Sequence, residues 1–541
     1  MVWVVCGLAA GCIILLLALL SRNDVSKMPE LPSGDYFIII GSLFAAFAFL
    51  LFYKSDTIPM PYHVDEAGMA YNAVALEKFH CDQFLYKFPV YLSVGQNALY
   101  TWLAAMMIRI FGYGVTVVRL PAIMLSLISA LVFVFLIRSE YGNAASVTAM
   151  ITFCFIPFSI MHSRWGLESY LLFPTLTISF CCFIYALKSG KTFLFFLSGV
   201  LFGITLYSYA VSYMILPLFL GSVIIYLMVI NKLNWKQLLV LAFPLALFAI
   251  PLLLMMAVNN GMIDEIKTRF FSIPRLVFYR GSEVSLKNIL TNLRLDENNL
   301  FYSIFVRDRL IYNVIPSFGS VYYFNIPFII YGFILTVKQA LGAMREKRFT
   351  MNIAVLFLFV SVFAVLLFLP YANVNRACAL FLPLIYFLAA GIYGIVQKCK
   401  TASFLYGGLC FLTVLSFVCY YFADFPKDLS YELSVTSVDD LKNALDFAEE
   451  INTGDAPVTI YGLSNPYIYT ILVRNIDPFK FNDIKVMNGS NVDAVGSYRF
   501  YVRDVSPEQV YLVRTDGWVP EEIRQQDFNL KEFGTVTVYY P

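Results

Sequence analysis

Twelve long apolar stretches, almost without charge, punctuate this chain: 1–20, 36–53, 117–137, 144–161, 169–187, 193–210, 213–230, 237–257, 322–339, 351–369, 377–396 and 402–422. About 20 consecutive apolar residues cross the hydrocarbon core of a bilayer as a helix, so the pattern predicts twelve membrane spans. The first stretch has no basic segment before it and no small-residue cleavage site, so it is read as a retained helix rather than a signal peptide. The apolar stretch 97–111 is shorter and carries Arg109 near its end. Counting it as a span would invert everything after it, so it is read as an interfacial helix.

After 422 the pattern changes. VDDLKNALDFAEEI has helical periodicity, and Ser437 with Asp440 three residues on fits an N-cap. PVTIYG, SYRFYVRDV, EQVYLVR and GTVTVYY read as strands bounded by Gly, Pro and Asp. The tail is therefore expected to be a small α/β domain, and no Gly-rich phosphate loop opens its helix.

Composition sharpens this division. Hydrophobic residues are 60% and charged residues 14% of 541, too apolar for one soluble core. Residues 423–541 hold 19 of the 36 acids and 10 of the 38 bases, a net of −9; the preceding 422 hold 17 and 28, a net of +11. These numbers exclude a soluble enzyme, a fibrous protein and a disordered chain. They predict a polytopic α-helical membrane domain over 1–422 and an acidic soluble domain over 423–541, with no nucleic acid as partner. Of the 10 cysteines only Cys81 lies clearly in a loop and the tail has none, so the cysteines read as small apolar fillers rather than a disulfide framework.

Orientation follows from basic residues in short loops. With 21–35 inside, the inward loops carry thirteen, from Arg22 and Lys27 to Lys398 and Lys400; the short outward loops carry only Arg164 and Arg376. Three larger elements then lie outside: 54–116, 258–321 and the tail.

Candidate chemistry belongs on that side. Just after the second span stands PYHVDEAGMAYNAVAL, with His63, Asp65 and Glu66. Neighbouring residues diverge on a helix or strand, so Asp65 and Glu66 cannot both face one substrate. One would act while the other orients, or both are solvated loop acids. Arg164 and Arg376 could bind phosphate through their planar forks or simply snorkel to the interface. Glu168 could pair with Arg164 one helical turn away. His63-x-Asp65 and His80-x-Asp82, with Cys81, could ligate a divalent metal. The long segment 258–321, with Arg269, Arg275, Arg280, Arg307 and Arg309, reads as a lid or a solvated bridge. Asn488-Gly489-Ser490 is read as an incidental sequon.

An Asp-Glu pair in the first long outward loop resembles the signature of GT-C membrane glycosyltransferases. The match is closer to the bacterial branch related to protein O-mannosyltransferases and the aminoarabinose transferases of lipid A. Four ordered blocks extend it: VGQNALYTWLAAMMIRIFG with VVRLPAIM, MHSRWGLESYLLFP, GITLYSYAVSYMILP and YANVNRACALFLPL, over about 36–422. The resemblance implies the GT-C fold, a polyprenyl-phosphate sugar donor entering from the outer leaflet, inverting transfer to a hydroxyl of a glycan, lipid or protein, no metal or other cofactor, and a plasma (inner) membrane location. It also implies Asp65 as general base with Glu66 in support. Arg376, Arg164, Asn375 and Lys87 become phosphate candidates, and His63, Gln96, Asn97 and Glu168 substrate contacts. The aminoarabinose pattern is broken in two places. The pair is followed by Ala67, Gly68 and Met69, and Phe88 separates Lys87 from Pro89, which weakens both a role for Lys87 and a lipid A pentose substrate. The alternative is a transporter or flippase of envelope lipids. It should show internal repeats and mid-membrane charges, and the sequence shows neither clearly.

Overall fold

A computed structural model describes residues 2–21, 31–276, 285–294, 299–370, 373–433, 436–452, 456–489, 491–501 and 505–541. Arg22, Lys27, Arg280, Ser490, and Tyr371 and Ala372 of the last block lie outside the described residues.

Each of the twelve apolar stretches contains helix. Ten described helices are long and apolar enough to cross a membrane, from Val2–Leu20 and Ser33–Phe52 to Val374–Val396 and Lys400–Ala423. The remaining two stretches differ from simple spans. Asn143–Cys154 and Pro157–Ser163 form a pair bent by 58°. Pro157, at the start of the second helix, has no amide hydrogen to continue the first, and the next amide, on Phe158, donates to Ser320 O at 2.9 Å. The stretch expected at 193–210 is helical only over Thr192–Leu206. The interfacial candidate 97–111 is a 14-residue helix, Ala98–Phe111.

The chain divides into two compact units. The first comprises Met1–Tyr53, Ala122–Leu253 and Arg280–Cys419. Its helices Ile326–Arg345 and Phe381–Val396 approach at Gly332 and Gly391. A Cβ on Gly332 would collide with Phe387 O, and one on Gly391 with Phe328 O. Small residues let helix backbones touch where lipid gives no hydrophobic drive to pack. Polar side chains close the helix ends. Asn292 Nδ2 donates to Leu366, Leu367 and Leu369 O at 2.8–3.2 Å, covering carbonyls at the end of Met351–Phe368. Buried Asp308 accepts from Leu310 N, Asn313 Nδ2 and Val374 N at 2.6–3.0 Å.

The second unit comprises Lys54–Pro121, Leu254–Tyr279 and Tyr420–Pro541. Its seven-stranded sheet runs in the order Asn529–Phe533, Val536–Tyr540, Val510–Arg514, Val458–Tyr461, Tyr498–Arg499, Asn491–Val495, Lys485–Asn488. Val458–Tyr461 pairs in parallel with both neighbours and the other pairings are antiparallel. Helix Val438–Ile451 buries Leu441, Ala444, Leu445 and Ala448, the spacing of one helical face. Ser437 caps it as expected, its side chain accepting from Asp440 N at 3.5 Å. The four expected strands form, with SYRFYVRDV reduced to Tyr498–Arg499. Strands Lys485–Asn488, Asn491–Val495 and Asn529–Phe533, and helices Pro466–Val473 and Pro478–Ile484, were not expected.

Within the same unit, helices Val64–Phe79 and Ala98–Phe111 pack together. A short hairpin, Ile266–Lys267 with Ser272–Ile273, is tied to the loop before Ala98: Val90 N donates to Ser272 O at 3.0 Å and Ser272 Oγ to Lys87 O at 2.6 Å.

Candidate active site

The Asp-Glu pair opens helix Val64–Phe79. His63 is its N-cap: Nδ1 accepts from Asp65 N at 3.2 Å, while His63 N donates to Glu66 Oε2 at 3.0 Å. This capping box fixes the first turn. The helix ends at His80, which adopts φ 57 and ψ 26.

The two acids have opposite surroundings. Glu66 is fully buried and gripped by Arg119, Nε to Oε1 at 2.8 Å and Nη2 to Oε2 at 2.6 Å, with both side chains 0% exposed. Arg119 also donates to Ser55 O at 2.6 Å, Met60 O at 2.9 Å and Pro61 O at 3.3 Å, so one guanidinium ties the chain before the pair to its first helical turn. A bidentate fork is the geometry that offsets the desolvation of two charges. Asp65 is 55% exposed, its Oδ2 3.7 Å from His63 Nδ1. The divergence expected of neighbouring helical residues is therefore realised, with Glu66 facing the packed side and Asp65 the open one.

Asp65 faces a cavity of about 260 Å³ that also takes in Asn72, Gln83, Gln96, Tyr467, Asn491 and Tyr501. Three bonds pin this arrangement: Tyr71 OH to Ile476 O at 2.8 Å, Asn482 Nδ2 to Gln83 O at 2.7 Å and Tyr469 OH to Tyr62 O at 3.4 Å. Asn72 holds Gln83, accepting from its amide at 2.8 Å and donating to its Oε1 at 3.3 Å. Buried Asp82 organises the loop below by accepting from Phe84 N, Tyr86 N, Ser93 N and Ser93 Oγ at 2.6–3.0 Å. Burial pushes its carboxyl above the ordinary value while these donors pull it back.

The other expected site residues are dispersed. Gln96 shares the Asp65 cavity, whereas Asn97 is buried as the residue preceding helix Ala98–Phe111. Lys87 is exposed. Arg164 is buried, and its guanidinium covers the final carbonyls of Ser33–Phe52, donating to Leu50 O, to Leu51 O at 2.9 Å and to Tyr53 O at 2.8 Å. A phosphate there would have to displace those carbonyls. Glu168 is the first residue of helix Glu168–Ser189. Arg376 lies in the turn Val374–Ala377 and donates to Pro370 O; beside it Asn375 Nδ2 donates to Tyr312 OH at 3.3 Å. Among the described residues no three His, Cys, Asp or Glu side chains gather where they could hold a metal ion.

Arg119 was absent from the expected set, although a charge three residues into an apolar run was a visible signal. Gln83, Tyr467, Asn491 and Tyr501 gave none, because contacts across some 400 residues leave no local pattern.

The described residues thus combine ten helices long and apolar enough to cross a membrane, an acid pair after the second of them and a sheet-bearing tail. Residues 97–255 match the family described as dolichyl-phosphate-mannose-protein mannosyltransferase. The fold is similar to that of ArnT from Cupriavidus metallidurans, with TM-score 0.53 in the apo state and 0.52 bound to undecaprenyl phosphate. In each case identity is 12%, over 94% of this chain and 98% of that one. No curated protein sequence matches. A mannosyltransferase-type segment over residues 97–255 therefore lies within a fold similar to that of ArnT, the fold the ordered sequence blocks imply.

Proposed function

We propose that the chain transfers a sugar from a polyprenyl-phosphate donor to an acceptor hydroxyl with inversion at the anomeric carbon, and that Asp65 is the general base. The observation that carries this reading is the contrast within the acid pair: Glu66 is locked to Arg119, while its neighbour Asp65 stands open at a cavity. In the proposed step the Asp65 carboxylate takes the acceptor proton and the acceptor oxygen forms a bond to the anomeric carbon. The bond from that carbon to the phosphate oxygen breaks, and its electron pair leaves with polyprenyl phosphate. That leaving group is already an anion, so one carboxylate suffices, unlike hydrolysis by paired carboxylates. The undecaprenyl phosphate bound to ArnT supports a lipid-phosphate donor.

Arg376 is our proposed phosphate partner, with Asn375 beside it and exposed Lys87 as a second cation; Arg164 is assigned to holding the end of Ser33–Phe52. The loop-charge asymmetry supports an inner-membrane protein whose residues 54–116 and tail lie outside, with the donor entering from the outer leaflet. Incubating the purified protein in nanodiscs with a polyprenyl-phosphate hexose of known anomer and an envelope extract, then reading the product anomer by NMR, tests the reading. Inversion is expected; retention would exclude single displacement with Asp65 as base.

A further inference from the structure

The cavity beside Asp65 has an unusual chemical balance. Asp65 is the only acidic or basic residue among the described residues lining it. Otherwise the wall is uncharged: its carboxamides and hydroxyl-bearing rings, Asn72, Gln83 and Gln96 on the side of the acid pair and Tyr467, Asn491 and Tyr501 from the tail, stand among aliphatic residues such as Val64 and Ile468. Two polar atoms of opposite kind are buried in this wall: among the described residues the acceptor Gln96 Oε1 has no hydrogen-bond partner, and the donor Gln83 Nε2 has only the Tyr467 hydroxyl beside it. A buried polar atom left unmet is costly, so an unmet acceptor with a donor across the same cavity calls for a ligand that both gives and takes hydrogen bonds. A hydroxyl does both. A charged ligand would need an opposite charge in the wall, and none but the Asp65 carboxylate is there. A volume of about 260 Å³ falls just below the roughly 300–1,000 Å³ of drug-sized pockets and suits one small ring. Aromatic faces against the C–H face of such a ring, with amides on its hydroxyls, complete the match.

We infer that this cavity is the acceptor subsite, that it takes one neutral sugar ring with a hydroxyl toward Asp65, and that the tail selects the acceptor through Tyr467, Asn491 and Tyr501. The acceptor is then a glycan, not a peptide side chain or a charged lipid. This rests on Asp65 being the base of the proposed transfer. It also gives the soluble domain a task its composition did not suggest: it supplies half of a binding wall whose other half lies in the loop after the second apolar helix.

The test uses the full chain in nanodiscs and methyl glycosides of glucose, galactose and mannose as probes, with glucuronic acid and glucosamine glycosides as charged controls, read by saturation-transfer NMR. At least one neutral probe should bind and the charged ones should not. Binding should fall about tenfold or more in Tyr501→Ala and Asn491→Ala, both at exposed positions, and vanish in Gly68→Leu. Gly68 lines the cavity, and a Cβ there meets only Ile468 Cγ1 at 3.9 Å, so that side chain fills the space without a backbone clash. Binding should persist when polyprenyl-phosphate hexose is added. Equal binding in wild type and all three variants, preference for a charged sugar, or displacement by the donor would each overturn the inference, the last by making this the donor-sugar site. Donor turnover measured on the same samples separates the two ideas. Asp65-dependent turnover without glycoside binding leaves the transferase and removes the subsite. Variant-sensitive glycoside binding without turnover on any donor keeps the sugar site and removes the transferase.

Discussion

The Glu66–Arg119 pair is the joint on which Asp65 depends, and its energetics can be worked from the structure. Arg119→Met leaves the Glu66 carboxylate fully buried without its bidentate cationic partner, and strips a donor from Ser55, Met60 and Pro61 carbonyls. Breaking one side of a buried pair costs about 3–5 kcal/mol. Glu66→Leu leaves a buried guanidinium and costs a similar amount, and also loses the capping box, worth about 1 kcal/mol. The double variant removes both charges together, so its cost should be several kcal/mol less than the sum of the singles. Unfolding of the four proteins in mixed micelles, followed by tryptophan fluorescence, gives the cycle. At about 2–4 °C per kcal/mol, Arg119→Met should lower the apparent Tm by at least about 6 °C. Strict additivity, or singles within about 1 kcal/mol of wild type, would refute the view that this pair sets the first turn of Val64–Phe79.

Other outcomes follow from the same geometry. Gly332→Leu or Gly391→Leu should separate helices Ile326–Arg345 and Phe381–Val396 and sharply reduce folded yield, read by size-exclusion chromatography, whereas Gly342→Ala, with nothing within 4 Å of its Cβ, should leave yield unchanged. Arg376→Lys should raise the donor KM about tenfold or more with little change in acceptor KM, because an ammonium cannot reproduce the two-pronged hold on phosphate. Lys267 and Tyr86 donate to Glu265 and hold its carboxyl below the ordinary value. A depressed acid stabilises the folded form above its unfolded value, about 4.3, and that contribution is lost as pH falls through the lowered folded value. Hydrogen-exchange protection over 264–275, taken relative to the intrinsic rate at each pH, should therefore persist at neutral pH and fall only on the acid side. Loss of protection on raising the pH from neutrality would contradict the assignment.

Much of the membrane part was legible in sequence, because a bilayer admits few solutions and long apolar runs declare them. The details that escaped were those set by tertiary contacts. The run at 144–161 carries Pro157, whose missing amide turns one span into a bent pair, and the run at 193–210 ends its helix at Leu206, where Tyr207, Ser208 and Tyr209 interrupt the apolar sequence. Asp65 and Glu66 were legible as a divergent pair, but which of them is buried depended on Arg119, more than 50 residues away. Arg164 illustrates the opposite case: a basic residue on the expected outer side suggested phosphate, and its fork instead serves the carbonyl end of Ser33–Phe52. In the tail, Lys485–Asn488 (KVMN) and Asn529–Phe533 (NLKEF) are short, with no buried residue and no clear apolar alternation in sequence, so they left little strand signal.

The central claim is tested most directly by release of polyprenyl phosphate from radiolabelled polyprenyl-phosphate hexoses. Wild type and Asp65→Asn would be compared in nanodiscs with envelope extract as acceptor, after matching their Tm values. Acceptor-dependent release by wild type that falls by about 100-fold or more in Asp65→Asn is the predicted result, in line with the scale of general-base contributions. Release by Asp65→Asn at the wild-type rate, from protein that is equally folded, would contradict it.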